Sequence, residues 1–281
     1  MSQPPPRGLG IDLGATRTKI AWRPEGGDLQ LESFPRGDDA AIDEYLRASA
    51  GAPIGVTGCG SGAFAATAQA ERSPSVVGEF DAWTRGGRVL IERSGLEVSD
   101  PFLLVSLGTG TSMLRVEGAS HERIGGTALG GGTLVGLASR LCDCDDFEEL
   151  RRMAERGERR RADLVLSDIY PGEDRPLPGD TTASSLEKLA RRPGEHEETP
   201  GRDDIAAALM GVVGENVALL AAALAVSGGL STVVYGGSAL RDNPTLTQLL
   251  VAIPAFQGLH ALVLPSGEYS GAVGALEAAC G

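Results

Sequence analysis

The sequence predicts an α/β protein of two lobes facing each other across a cleft, the lobes being copies of one unit. Three observations lead there. The chain has 281 residues, more than one ordinary domain of about 100–200 residues. Its 42% hydrophobic and 22% charged residues are a globular balance. A strand, a turn of glycine and threonine, and a second strand occur twice, which marks an internal duplication. Glycine is also abundant, 40 residues against a usual share of roughly 7%. Much of that excess is expected in turns at 8–14, 58–62, 108–110, 125–136 and 236–237. The lobes are expected at 1–98 and 99–281.

The first copy is Gly8-Leu-Gly-Ile-Asp12-Leu-Gly14-Ala-Thr16-Arg-Thr18-Lys19-Ile-Ala-Trp22. Apolar stretches flank a polar turn, so it reads as a β-hairpin in which Asp12 ends one strand and Lys19 begins the next. Later in this lobe, Val76-Val-Gly-Glu79-Phe-Asp81 precedes a helical stretch from about Ala82 to Arg93. Asp81 reads as that helix's N-cap, and Glu79 as a carboxylate on the loop before it, free to face the cleft.

The second copy, Phe102-Leu-Leu-Val-Ser106-Leu-Gly108-Thr109-Gly110-Thr111-Ser112-Met-Leu-Arg-Val116, opens the second lobe. Gly130-Gly-Gly-Thr133 then starts a helix whose N-terminal N–H groups can approach an anion closely. A further helix starts at Phe147. The basic run Arg151 to Arg161 is interleaved with Glu148, Glu149, Glu155 and Glu158 and reads as a solvated helix face of i,i+4 pairs. From Arg175 to Arg202 a Pro- and charge-rich segment reads as a peripheral excursion. Asp203 to Val226 is one buried helix, Thr232 begins a strand ending near Ser238, and the last helix is expected to pack back on the first lobe.

Charge excludes some function classes. Lys plus Arg is 25 against 38 Asp plus Glu, a net charge of −13, and only Lys19 and Lys188 are lysines. Nucleic acid and anionic membranes need a basic footprint, so neither is an expected partner. No apolar run of membrane-spanning length is read, and the start has no apolar signal region. A cytoplasmic protein is expected. Cys59, Cys142, Cys144 and Cys280 suit neither a disulfide framework nor a zinc site.

The hairpins carry the chemistry. A tight Gly/Thr turn aims successive backbone N–H groups and hydroxyls into one concavity that suits an anion. Two such turns facing each other could hold a polyphosphate from both sides, with Asp12 holding Mg²⁺ through water and Lys19 neutralising phosphate. There is no Gly-x-x-x-x-Gly-Lys-Ser/Thr loop, and no Gly-x-Gly-x-x-Gly opens a helix after a strand.

The repeated strand–Asp-x-Gly-x-Thr–strand hairpin resembles the superfamily of acetate and sugar kinases, heat-shock chaperone ATPase domains and actin. Within it the chain resembles the type II (eukaryotic-like) pantothenate kinases from about Gly8 to Ala279. The matching stretches include Gly10-Ile-Asp12-Leu-Gly14-Ala-Thr16 with Lys19, Glu79-Phe-Asp81-Ala, Gly108-Thr109-Gly110-Thr111-Ser112 and Arg123-Ile-Gly-Gly-Thr127. They continue through Ser167-Asp168-Ile-Tyr170, Gly211-Val-Val-Gly214-Glu, Tyr235-Gly-Gly-Ser238 and Ser270-Gly-Ala-Val-Gly-Ala-Leu276.

The resemblance implies the ASKHA fold, ribonuclease H-like and actin-like, with duplicated βββαβα units around a nucleotide cleft. It implies Mg²⁺- and ATP-dependent phosphorylation of pantothenate to 4'-phosphopantothenate, which begins coenzyme A synthesis. Glu79 then matches the general base. Asp12, Leu13, Gly14, Ala15, Thr16, Arg17, Thr18 and Lys19 match the first nucleotide loop. Thr109, Gly131, Gly132, Thr133, Leu134, Val135, Phe147 and Ser238 match further nucleotide contacts, and Thr109, Ser112 and Arg123 match the acceptor side. A homodimer, and coenzyme A or acyl-coenzyme A as inhibitor, follow from the same likeness. The rivals are a sugar kinase of this fold and a non-catalytic nucleotide-binding homologue. The departures are Ala15, Cys59, Leu186-Glu187 and Ser266-Gly-Glu268-Tyr269, which bear on specificity rather than on phosphate binding.

Overall fold

The chain opens as a meander, β1 (Pro6–Leu13), β2 (Arg17–Pro24) and β3 (Gln30–Pro35), each strand antiparallel to the one before. The computed structural model describes residues 6–67, 73–172, 178–190 and 199–281. After α1 (Asp39–Ala48), capped by the Asp38 carboxylate, β4 (Ile54–Thr57) inserts parallel to β1. It is buried throughout, as a strand covered on both faces should be. Then α2 (Ser61–Thr67) leads toward β5 (Ser75–Val76), and the sheet order is β3-β2-β1-β4-β5.

Past α3 (Glu79–Ser94) the same plan is repeated. The antiparallel meander is β6 (Phe102–Leu107), β7 (Thr111–Glu117) and β8 (Ser120–Thr127). The helices α4 (Gly131–Leu141) and α5 (Phe147–Arg156) follow. A small ladder of β9 (Leu164–Val165) and β10 (Thr182–Ser184) encloses α6 (Leu166–Ile169). The long α7 (Arg202–Ser227) leads to β11 (Thr232–Gly236), then α8 (Pro244–Phe256), β12 (His260–Val263) and α9 (Ser270–Cys280). With β11 and β12 parallel to β6, this sheet runs β8-β7-β6-β11-β12. Counted from its own first strand, that is the order of the first sheet.

Burial separates three cores. Leu9, Ile11, Ile20 and Trp22 meet Ile42 of α1 on the outer face of the first sheet. Leu103, Val105 and Tyr235 meet Leu209, Met210 and Val213 of α7 behind the second. Between the sheets lie α3 and α9, with Leu90, Val273 and Leu276 packed against Ala21, Leu104 and Val234. Glycine makes this middle layer thin. A Cβ on Gly274 would stand 1.8 Å from the Ala82 carbonyl oxygen, and one on Gly86 would stand 1.9 Å from that of Ser270. At Gly10 and Gly55 the carbonyls of Ala272 and Ala275 would be met at 2.0 and 1.9 Å. Part of the glycine excess therefore serves helix–helix and helix–sheet contact rather than turns. Gly8 and Gly10 lie within β1, and Gly125 and Gly126 within β8.

Several expectations are corrected. Gly78, not Asp81, is the N-cap of α3, so Glu79 is the first helical residue; Asp81 instead sits 3.8 Å from His121 of β8. The basic run is not one solvated helix, because α5 stops at Arg156. Arg159, in the short 3₁₀ turn Arg159–Arg161, turns inward to the fully buried Asp163 and to Glu215 of α7, at 3.1 and 2.7 Å. By length and mean hydropathy α7 could cross a membrane, contrary to the sequence reading, but 56% of that stretch is buried inside the protein, where it serves as a core helix. The segment 175–202 lies partly outside the described residues; its described part holds β10, the 3₁₀ turn Glu187–Ala190 and the start of α7.

Candidate active site

The two sheets meet at the carboxyl ends of β1 and β6, the place where open α/β folds bind ligands. Asp12 and Lys19 are direct cross-strand partners in the first hairpin, and Lys19 Nζ lies 3.2 Å from Asp12 Oδ2. Both side chains are nearly buried, at 7% and 13% exposed. The close packing around Asp12 explains two glycines. A Cβ on Gly58, whose φ is +85°, would come within 2.6 Å of Asp12 Oδ1, and one on Gly271 within 2.8 Å of Oδ2. The Asp12 carboxylate is thereby held beside the start of α9, where the helix dipole favours negative charge.

The second hairpin faces it. Its turn, Gly108-Thr109-Gly110, is tied to α4: the Gly131 N–H donates to the Gly108 carbonyl at 2.8 Å and the Gly132 N–H to that of Thr109 at 3.0 Å. Those two amides, expected free for an anion, instead brace the loop against the helix. On β8, Gly126 is the cross-strand partner of Ser112, and a Cβ there would meet Arg123 Nη2 at 2.6 Å. The missing side chain lets the guanidinium lie back toward Ser112.

A cavity of about 520 Å³ collects these groups. It is lined by Asp12, Gly14, Ala15, Thr16, Lys19, Glu79, Thr109, Ser112, Arg123 and Ser238, among others. Glu79 is reachable from solvent along the cleft. Even so, partial burial raises its carboxyl above the usual range, the negative charge of Asp12 adds to the rise, and Lys19 opposes it. A second cavity of about 510 Å³ adjoins it, more apolar and lined by Arg17, Gly131, Gly132, Val135 and Phe147. Thr16, Thr109 and Ser238 border both. The arrangement suits a long anionic ligand with a flat apolar end.

Four expected residues line neither cavity. Leu134 is fully buried in the core behind the second sheet, and Thr18 is buried in β2 opposite Leu13. Leu13 packs toward the first core, and the Thr133 hydroxyl donates to the Ala128 carbonyl. Cys59, one of the departures, borders the cleft, and the cleft gains Trp83. Trp83 sits one helical turn beyond Glu79 on the same face, a signal visible only once the helix is known to start at Glu79. A small cavity of about 40 Å³ beneath the Asp12–Lys19 pair adds Ser106 and Glu268, whose carboxyl burial pushes up.

Asp12 also bears on metal binding. Among the described residues no cluster of three or more His, Cys, Asp or Glu side chains could hold an ion. One hard carboxylate beside a phosphate-sized cavity suits Mg²⁺, which keeps most of its waters and takes its remaining ligands from phosphate.

A family profile described as Fumble matches residues 84–278. A type II pantothenate kinase of Bacillus cereus (strain ATCC 10987 / NRS 248) is 31% identical over 269 residues, covering 95% of this chain and 96% of the relative. One from Staphylococcus epidermidis (strain ATCC 12228 / FDA PCI 1200) is 30% identical over 268 residues, covering 95% and 98%. Among solved structures, the activator of the 2-hydroxyisocaproyl-CoA dehydratase from Clostridium difficile with bound ADPNP superposes with TM-score 0.60 at 15% identity, over 97% of this chain and 94% of that one. A ROK family glucokinase from Streptomyces griseus, in complex with glucose and AMPPNP, gives 0.55 at 17%, covering 97% and 98%. At such identities the structures speak for the fold alone, and the fold is that of the two-lobed ASKHA kinases.

Proposed function

This chain belongs to the type II pantothenate kinase family, and we propose that it transfers the γ-phosphoryl group of ATP to the terminal hydroxyl of pantothenate, giving 4'-phosphopantothenate. Phosphoryl transfer is mostly positioning and charge neutralisation, and the residues divide accordingly. The more apolar cavity, with Phe147 and Val135, takes the adenosine end. The triphosphate runs between the turns at 14–16 and 108–110, toward Lys19. Asp12 would hold Mg²⁺ through water, and the ion would supply neutralisation of the phosphate oxygens.

Glu79 takes the proton of the acceptor hydroxyl. The hydroxyl oxygen bonds to the γ-phosphorus while the bond to the bridging oxygen breaks, and ADP leaves. A carboxyl raised toward neutrality is a better base than an ordinary glutamate. Pantothenate carries a carboxylate, which the Arg123 guanidinium suits as a bidentate partner, and Ser112 and Thr109 offer hydroxyls beside it. The observation that carries the reading is the convergence of Glu79, the Asp12–Lys19 pair and Arg123 on one cleft.

The test is ADP release with pantothenate, with N-acetylglucosamine and with no acceptor. Release that depends on pantothenate is the expected result. Release with the sugar alone would make the chain a sugar kinase of the same fold, and ATP binding without any acceptor-dependent release would make it a nucleotide sensor. A cytoplasmic homodimer inhibited by coenzyme A or its thioesters belongs to the same proposal. Leu219 and Val226, both exposed and two turns apart on α7, offer apolar surface to a second copy, and sedimentation equilibrium checks it.

A further inference from the structure

Arg241 lies just after the 3₁₀ turn Ser238–Leu240 that follows β11. Its Nη2 donates to Glu148 Oε1 at 2.9 Å, and its Nη1 reaches Ser33 Oγ at 3.4 Å. Glu148 is the second residue of α5, next to Phe147, whereas Ser33 belongs to β3 of the opposite sheet and pairs in register with Lys19. Arg17 approaches the same serine from the first hairpin, its Nη2 donating to both the Ser33 carbonyl and the Ser33 hydroxyl at 3.0 Å. A chain of side chains, Glu148–Arg241–Ser33–Arg17, thus crosses the mouth of the cleft, and both arginines line the more apolar cavity.

The two guanidiniums differ in counter-ion. Arg241 has Glu148, whose carboxyl the Arg241 hydrogen bond holds below the usual range. Arg17 forms no ion pair with a carboxylate among the described residues, and its Nε is buried without a hydrogen-bond partner. An uncompensated guanidinium in a half-enclosed cavity is costly unless an anion completes it. Ser33 Oγ has two lone pairs, enough to accept from both arginines, so the serine fixes where Arg17 stands.

We propose that Arg241 is a positioning residue for the nucleotide: through Ser33 it joins the two lobes across the cleft and holds Arg17, next to Thr16 where the two cavities meet, toward the phosphates nearest the adenosine end. This rests on the ATP reading above. The contact that binds is that of Arg17; Arg241 acts by keeping it in place.

Titration calorimetry with Mg²⁺-AMPPNP, and displacement of a fluorescent ADP by adenosine, test it. Arg241→Ala weakens AMPPNP about tenfold, the value of one charge-assisted hydrogen bond, and leaves adenosine within twofold. Ser33→Ala, a change too small to threaten folding, shows the same pattern at about threefold. In an Arg17→Ala background, Arg241→Ala has no further effect. In turnover the KM for ATP rises while kcat stays within twofold. Equal losses for AMPPNP and adenosine, additive effects of Arg17→Ala and Arg241→Ala, or an unchanged Ser33→Ala would each overturn the proposal. Failure of the wild-type protein to bind AMPPNP would instead remove the ATP reading, and this inference with it.

Discussion

The two hairpins at the cleft share a plan and differ in chemistry. In the first, the cross-strand pair before the turn is Asp12 with Lys19; at the matching place in the second it is Ser106 with Ser112. The parallel neighbour behind Asp12 is Thr57, and behind Ser106 it is Gly236. The repeated plan gives two similar concavities whose side chains differ. Both turns border the cleft, but only the first offers a carboxylate for a metal and a cation for phosphate, while the second offers hydroxyls suited to an acceptor. The parallel extends to the carboxylates at the starts of the two middle helices. Gly78-Glu79-Phe80 opens α3 after β5, and Gly267-Glu268-Tyr269 leads into α9 after β12. Burial raises both carboxyls, and Lys19 opposes the rise at each.

The sharpest way to break this division is at Glu79. Glu79→Gln should lower kcat by about 10²–10⁴, the range for a positioned general base, while AMPPNP binding by calorimetry stays within a few-fold. A pH profile adds direction. The base works deprotonated, so activity falls as pH drops through its carboxyl. Because burial and Asp12 raise that carboxyl, the acid limb of kcat/KM should lie above the ordinary glutamate range. In Asp12→Asn the residual activity should show the limb moved to lower pH, since one of the raising charges is gone. A limb unmoved by Asp12→Asn would mean that Glu79 is not the titrating group.

The strand beside the second hairpin, β8, gives the next largest effect. Arg123→Ala should raise the KM for pantothenate about 10- to 100-fold, the loss expected for a charge-assisted bidentate contact, with nucleotide affinity unchanged. Initial-rate kinetics at saturating ATP read the first and calorimetry the second. Loss of nucleotide binding in this variant would merge the roles that the two hairpins are argued to keep apart.

How much of this was legible in the sequence follows from which forces are local. The hairpins and their duplication were readable because a Gly/Thr turn between apolar strands declares itself within 15 residues. The start of α3 misled because Asp81 looks like an N-cap, whereas the backbone already turns at Gly78. That error placed Glu79 on a loop and concealed Trp83. Arg159 reads as solvated because its neighbours are charged; only tertiary packing brings Glu215 of α7 to it. Arg241, Ser33 and Arg17 meet across the lobes, and no local pattern announces such a meeting. The glycines taught the most. Those at 58 and 108 border the cleft, yet Gly10, Gly55, Gly86 and Gly274 serve the helices between the sheets.

Those glycines give a third effect, on stability rather than rate. Gly274→Ala would push a methyl against the Ala82 carbonyl of α3, where both backbones are fixed by their helices. Overpacking of this kind costs about 1–3 kcal/mol. Gly62, with open space around it, is the control and should change little. Urea unfolding of the two variants tests whether the middle layer is as tight as the spacing says.

The smallest effect concerns the second carboxylate. Glu268 lines the small cavity beneath Asp12 and Lys19, not the cleft that Glu79, Arg123 and Ser112 line, so it is not placed as the base for the acceptor hydroxyl. Its charge instead joins that of Asp12 around Lys19. Removing it leaves the lysine less neutralised, which favours phosphate binding slightly. Glu268→Gln should therefore tighten AMPPNP by no more than about threefold, under 1 kcal/mol for a partly screened pair, and change kcat less than tenfold. A loss in kcat matching that of Glu79→Gln would show that the two halves share the proton-transfer step, and the division of labour argued from the hairpins would fail at its centre.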